Sequence, residues 1–362
     1  MRIDELDLEE KVGQMFIIGL RECDVKDKLI NIIQKYKIGG IVLYRKNYSD
    51  YHDMITVINT IKKANEKNKV PLFISIDQEG GRVNRMPSEI QNIKDAYNIS
   101  KSGDIELVKD SGKIIGEMLK KTGINMNYAP VLDIKRFNEN HAIGNRCYGD
   151  SKEEVMKYGV EVMKEMKNQG VIPVIKHFPG HGLTHKDSHY KIPTIKESID
   201  ILENEDMKPF EKAIEEGADG IMVGHLIIKD IDKKYPASLS NKIIKGYIRD
   251  KYKFNGLVIT DDLKMWAIKL RFRNINAVLK AIDSGNDVIM LGYSYKSLMK
   301  VLKKVNKKAR KGKIDINNID ESVKRILNIK EKYGLTDKEI TGFNIDEINN
   351  RIQGINENIK KL

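Results

Sequence analysis

Residues 152–177 read KEEVMKYGVEVMKEMKNQGVIPVIKH. The first part, Lys152–Asn168, is a charged amphipathic stretch of helical period, and Val171–His177 is a nearly continuous apolar run. Such a run fits a strand buried on both faces, as in a parallel sheet covered by helices. The same unit recurs in both directions. Toward the N-terminus, strand candidates lie at Asn125–Tyr128, Pro71–Asp77, Gly40–Tyr44 and Gln14–Leu20, with amphipathic stretches at Ile105–Lys121 and Asp50–Lys67. Toward the C-terminus they lie at Gly220–His225, Gly256–Asp261 and Asp287–Leu291, with amphipathic stretches at Asn241–Lys251 and Ile275–Ser284. Strict alternation predicts a parallel α/β sheet. Eight strands in 362 residues match the count and size of a single (β/α)8 barrel of the TIM type, and a doubly wound open sheet is the alternative.

No linker rich in Pro, Gly or Ser divides the chain, and no internal repeat is evident. The expected organisation is one barrel over residues 1–335, closed by a helix near Ile319–Lys332. A polar extension, 336–362, follows Gly334 as helical cover or a frayed tail, with no second domain.

Composition narrows the function classes. Apolar residues make up 40% and charged residues 32%, which suits a folded globular chain rather than a disordered one. No stretch approaches the roughly 18 apolar residues of a membrane span. The N-terminus is acidic ahead of its short apolar run, the wrong order for a secretory signal, so a cytoplasmic location is expected. Cys23 and Cys147 cannot form a disulfide framework and are read as reduced thiols. The net charge of +12 comes from lysines spread along the chain, with one dense run at Lys300–Lys313. That run has no interleaved aromatics for base stacking, and neither a nucleic acid nor a membrane is the expected partner.

Polar residues interrupt the apolar pattern at the strand ends. Asp77 closes PLFISID, Asp133 closes NYAPVLD, and Arg146 lies in AIGNRCYG. Lys176 and His177 end VIPVIKH, His225 ends GIMVGH, and Asp261 and Asp262 end GLVITDD. In a barrel these ends form the mouth where chemistry sits. The densest segment is KHFPGHGLTHKDSHY, Lys176–Tyr190, with His177, His181, His185 and His189 spaced by four. On a helix that spacing would suggest a zinc site, but Pro179, Gly180 and Gly182 deny the segment a helix. A metal-dependent hydrolase using these histidines and Asp187 remains a second reading. Asp187-x-His189 offers instead a carboxylate that orients an imidazole for acid–base work, unless Asp187 only caps a turn. Of Asp261 and Asp262, adjacent on a strand, one faces the mouth as nucleophile or ligand while the other is free to cap the next helix. QEGGRVNR, after Asp77, supplies Arg82 and Arg85 for carboxylates or hydroxyls. Cys147 has no marked partner base and reads as a packed small residue.

Together the motifs KVGQMFIIG, DQEGGRVNR, NYAPVLDI, IGNRCYG, KHFPGHG, DSH and ITDDLKM, in that order over roughly residues 8–335, resemble glycoside hydrolase family 3. The likeness is to its short, single-domain β-N-acetylglucosaminidase (β-hexosaminidase) branch, active in cell-wall recycling. Thr260 stands where Ser is common, Tyr148 where Phe is common, and WAIKLRFRNIN after Met265 is atypical. The resemblance implies a retaining exo-enzyme that releases N-acetylglucosamine from peptidoglycan fragments or chito-oligosaccharides, without cofactor or metal. It makes Asp261 the nucleophile and His189 the general acid and base, with Asp187 as its partner. It places Asp77, Arg85, Arg146, Lys176 and His177 around the sugar in subsite −1, and gives Asp133 and His225 no sugar contact. An imidazole in place of a second carboxylic acid also opens a phosphorylase alternative, in which phosphate replaces water in the second step.

Overall fold

The computed structural model describes residues 2–19, 26–137, 142–184, 192–265, 268, 272 and 274–360. The unit that opens the sequence reading shows how the fold is built. Ser151 caps the helix Lys152–Asn168 by accepting the Glu154 N–H, and Val155, Tyr158, Val162, Met163 and Met166 form its buried face. Gly170, at φ +75°, takes the left-handed conformation that turns the chain back. The strand Ile172–Phe178 then runs wholly buried.

Eight such strands make one parallel sheet: β1 (Phe16–Ile18), β2 (Gly40–Leu43), β3 (Phe73–Ile76), β4 (Met126–Asn127), β5 (Ile172–Phe178), β6 (Gly220–Val223), β7 (Leu257–Thr260) and β8 (Ile289–Leu291). Each falls on an expected run, β5 extending one residue past His177. They are ordered β8–β1–β2–β3–β4–β5–β6–β7. The seam between β7 and β8 is joined by a parallel bridge, Ile259 to Val288, and by the Thr260 N–H on the Val288 carbonyl at 3.0 Å. The sheet therefore wraps into a TIM barrel rather than lying open. Every strand residue is buried, because inner side chains fill the barrel and outer ones meet helices. Each fully buried Ile, Val or Leu is worth about 1.5–3 kcal/mol.

The two ends of the barrel differ in chemistry. At the N-terminal end Lys330, from the helix Ile316–Lys332, donates to Gln14 Oε1 (2.8 Å), the Gly39 carbonyl (2.8 Å) and the Pro71 carbonyl (2.7 Å). That ammonium ties the entrances of β1, β2 and β3 together and is a stability device. After Gly334 the chain ends in a docked helix, Ile345–Lys360, with Ile348, Ile352 and Ile355 buried and Arg351 paired to Glu117. Two features carry no signal in the periodicity: Lys242–Lys251 winds as a π-helix, and Thr194–Ile195 pairs with Ile227–Ile228 in a small parallel ribbon outside the barrel. Among the described residues no helix is long and apolar enough to cross a membrane.

Candidate active site

At the opposite end the strand termini surround a cavity of about 890 Å3, within the size range of small-molecule sites. Asp77, Arg85, Arg146, Lys176, His177 and Asp261 all line it. Six of the eight residues expected at the site are thus brought together. The other two, Asp187 and His189, lie outside the described residues.

The backbone positions these groups locally. After β3, the Asn127 side chain of β4 accepts the Gln78 N–H (2.9 Å) and donates to the Gln78 carbonyl (2.8 Å). Gln78 Oε1 in turn accepts the Arg85 N–H at 2.8 Å. These bonds fix the turn that carries Asp77 and Glu79 and bring Arg85 back over it. Arg85 uses its guanidinium on the Asn84 carbonyl at 3.4 Å. Near the end of β5 the register with β6 breaks between Ile175 and Phe178. Lys176 bridges Val131 instead, and its carbonyl accepts the Leu132 N–H at 2.8 Å. A break of this kind re-aims the side chains it carries, and here it sets His177 beside Asp133.

Glu79 is the organising anion, and sequence reasoning missed it. It accepts from Arg146 Nε (2.8 Å) and Nη2 (2.7 Å) as a bidentate pair and from Lys176 Nζ at 2.5 Å, with only 4% of its side chain exposed. Burial alone would raise its pKa, but Arg146 and Lys176 outweigh that and hold the carboxyl far below the usual range. Lys176, itself 1% exposed, also reaches Asp77 Oδ1 at 2.8 Å. Arg146 completes its bonding on the Ala142 carbonyl. The two cations expected to serve the sugar are therefore already engaged within the protein, as parts of a rigid Asp77–Lys176–Glu79–Arg146 frame.

Asp133, a strand-end acid with no expected sugar contact, has a task the sequence did not show. It is fully buried and accepts His177 Nδ1 (2.7 Å), the His177 N–H (3.3 Å) and the His181 N–H (2.7 Å). Burial would raise its pKa, yet His177 and these hydrogen bonds lower it. Asp133 thus orients the His177 ring without lining the cavity. His181 is pushed down to about 4 by burial, with Asp133 pulling the other way, so it is neutral at neutral pH.

At the end of β7, the Asp261 N–H donates to the Val223 carbonyl at 3.1 Å, and its Oδ1 accepts the Asp262 N–H at 2.7 Å. Burial raises the Asp261 pKa; His225, His177, that N–H and Lys176 outweigh it and hold the carboxyl below its ordinary value. Of these the two imidazoles contribute most and Lys176 least. Asp262 Oδ1 accepts the Lys264 and Gly292 N–H groups, each at 2.9 Å, joining the loops after β7 and β8. His225 bonds Ser238 Oγ through Nδ1 (2.7 Å) and donates from Nε2 to the Asp262 carbonyl at 3.1 Å. It supports the Asp261–Asp262 turn from below. Burial pushes the Cys147 thiol up to about 12, as expected of a packed cysteine. Among the described residues no cluster of three or more His, Cys, Asp or Glu could hold a metal ion.

The arrangement provides an ionised carboxylate at a barrel mouth, framed by polar groups suited to hydroxyls. Comparisons with known proteins agree with that chemistry. The Glycosyl hydrolase family 3 N-terminal domain matches residues 7–329. Beta-hexosaminidase LpqI of Mycobacterium tuberculosis is 31% identical, over 90% of this chain and 83% of its own length. Beta-hexosaminidase A of Pseudoalteromonas piscicida is 29% identical over 84% of this chain, which spans only 55% of that longer relative. The solved family 3 β-N-acetylglucosaminidase of Paenibacillus sp. FPU-7 superposes with a TM-score of 0.90 at 32% identity, covering 98% of this chain and 69% of that one. With nearly the whole barrel matched and a carboxylate held ionised at its mouth, the chain belongs to glycosyl hydrolase family 3 and is a glycoside hydrolase.

Proposed function

We propose that this glycoside hydrolase is a retaining exo-β-N-acetylglucosaminidase that releases terminal N-acetylglucosamine from β-linked glycosides such as peptidoglycan fragments. The observation that carries the reading is Asp261, lining the cavity and held below its ordinary pKa. A nucleophile must be ionised before it can attack. Its oxygen attacks the anomeric carbon as the bond to the aglycone oxygen breaks, and that oxygen takes a proton from His189, oriented by Asp187. Water then attacks the glycosyl-Asp261 ester, His189 takes its proton, and Asp261 leaves as a carboxylate. Asp77, Arg85 and His177 serve the sugar, on the frame that Lys176, Arg146 and Glu79 build. The name of LpqI, a beta-hexosaminidase, supports action on hexosaminides, and that of the Paenibacillus enzyme supports the N-acetylglucosamine specificity. Action on recycled wall fragments goes with the cytoplasmic location expected from the sequence.

The test is release of nitrophenol from the N-acetyl-β-glucosaminide and the β-glucoside, side by side, with and without phosphate. Strong preference for the N-acetyl sugar, indifferent to phosphate and to a chelator, is the expected result. A glycosyl phosphate product would replace hydrolysis with phosphorolysis, and loss of activity on chelation would move the chemistry to a metal. In the same assay His189→Ala is expected to slow glycosides with poor leaving groups far more than nitrophenyl glycosides, since a good leaving group needs less protonation. Equal losses on both would remove His189 from the acid–base role.

A further inference from the structure

The turn at Gly180–Gly182 carries His181 into the cavity wall, and it is gripped from two sides. Gly180 sits at φ +120°, and a Cβ there would lie 2.8 Å from Asp206 Cβ. A Cβ on Gly182 would lie 2.4 Å from the Ile134 carbonyl oxygen, 3.0 Å from Asp206 Oδ1 and 3.2 Å from Arg136 Cγ. The 134–136 segment thus presses on one side of the turn and Asp206 on the other. Arg136 Nη2 joins them, donating to Asp206 Oδ2 at 3.1 Å. The Asp206 side chain is fully buried, and both its Oδ1 and Arg136 Nε have no hydrogen-bond partner. Buried, half-paired charges of this kind are expensive for the fold.

We propose that the Arg136–Asp206 pair is a positioning clamp that holds the Gly180–Gly182 turn, and through it the His177–Asp133–His181 cluster, in register with the sugar site. The linkage is continuous. Asp133 lies three residues before Arg136 and accepts from both histidines, and the Gly180 N–H donates to the His177 carbonyl at 2.9 Å. Neither Arg136 nor Asp206 lines the cavity, so the pair acts through the turn.

The charges around Asp206 fit a strained component rather than a stabilising one. Burial pushes its carboxyl up to about 6; Arg136 pulls it down, while Asp133 and Glu205 push it further up. Glu205 shares Arg136 and also binds Lys152 at 2.9 Å. A carboxyl raised above its unfolded value is ionised at a loss to the folded state at neutral pH. Removing that charge should therefore not weaken the fold, and Arg136 keeps Glu205 as its partner.

The experiment compares Asp206→Asn, Arg136→Gln and the double variant with the wild type. It reads kcat/KM on the nitrophenyl N-acetyl-β-glucosaminide, the melting temperature at pH 7, and the imidazole NMR resonances of His177 and His181. Asp206→Asn is expected to melt no lower than the wild type yet to lose about tenfold in kcat/KM, as small misplacements of binding groups do. Its imidazole resonances should move, and the double variant should lose no more than either single one. Activity within about twofold of wild type, or unmoved resonances, would overturn the clamp. So would an activity loss that merely follows a fall in melting temperature. If Asp206→Asn does not fold, that outcome overturns the strained character of the pair, and Arg136→Gln still tests whether the pair positions the turn. The activity arm rests on the proposed glycosidase function: a wild type inert on the glycoside would remove that function, while the resonances would still decide the clamp.

Discussion

Asp261→Ala is expected to lower kcat by ~10^4-fold or more, with the melting curve unchanged within a degree or two. The size follows from the chemistry. Without the carboxylate no glycosyl-enzyme ester forms, and water must attack an anomeric centre unaided on the face Asp261 occupies. The fold should survive, because Asp261 is a net importer of support. Its carboxylate accepts the Asp262 N–H, but Asp262 is fixed independently through the Lys264 and Gly292 N–H groups and the His225 ring on its carbonyl. The pH dependence has a definite sign. A carboxyl held below its ordinary value is ionised across the neutral range, so the acid limb of kcat/KM due to Asp261 should fall below about pH 4. Steady-state kinetics on the nitrophenyl N-acetyl-β-glucosaminide, with circular dichroism of the same samples, measures both statements. Retention of a tenth or more of wild-type activity would remove Asp261 as nucleophile and turn attention to Asp77, another carboxylate lining the cavity.

The barrel was legible because its signal is local. Each strand is a short run of β-branched and apolar residues, and each run is followed by a helical period, so composition within ten residues decides the element. The same locality brought Asp77, Lys176, His177 and Asp261 into view as polar residues closing apolar runs. Glu79 and Asp133 were not assignable on that basis. Glu79 stands three residues past the end of β3 in a Gly-rich turn, where a carboxylate usually faces water. Its partners Arg146 and Lys176 come from a distant loop and from β5, and only the closing of the sheet brings them together. Asp133 was visible as a strand-end acid, but its task depends on the register break in β5 that places His177 beside it. The π-winding of Lys242–Lys251 left no mark either, since its apolar residues satisfy an ordinary helical period as well. What a sequence shows plainly is which residues lie at the mouth; which of them hold one another in place is a property of the closed barrel.

That distinction makes Glu79→Gln the most informative change to the frame. The substitution keeps the shape and removes the charge that three donor atoms share. Arg146 loses its bidentate partner, and Lys176 is left with Asp77 alone. Removing one member of a buried ion pair typically costs about 3–5 kcal/mol, because the remaining charge stays buried without compensation. Glu79 holds two cations at once, so the loss should lie in the upper part of that range, readable as a shift of the urea midpoint at pH 7. The sign with pH follows from its depressed pKa. The stabilisation is complete above the unfolded value of 4.5 and fades as pH falls from there toward the folded value. Wild-type stability should therefore decline on acidification below about pH 4.5, and the variant should lack that part of the slope. Activity should fall as well, by roughly 10²-fold in kcat/KM, since Asp77 now meets an unbalanced Lys176 and Arg146 is free to swing. A variant that keeps its midpoint but loses activity would mean that Glu79 touches the substrate itself. One that loses stability with little change in kcat/KM would show that Lys176 and Arg146 find the sugar without the frame, and that Glu79 serves the fold alone.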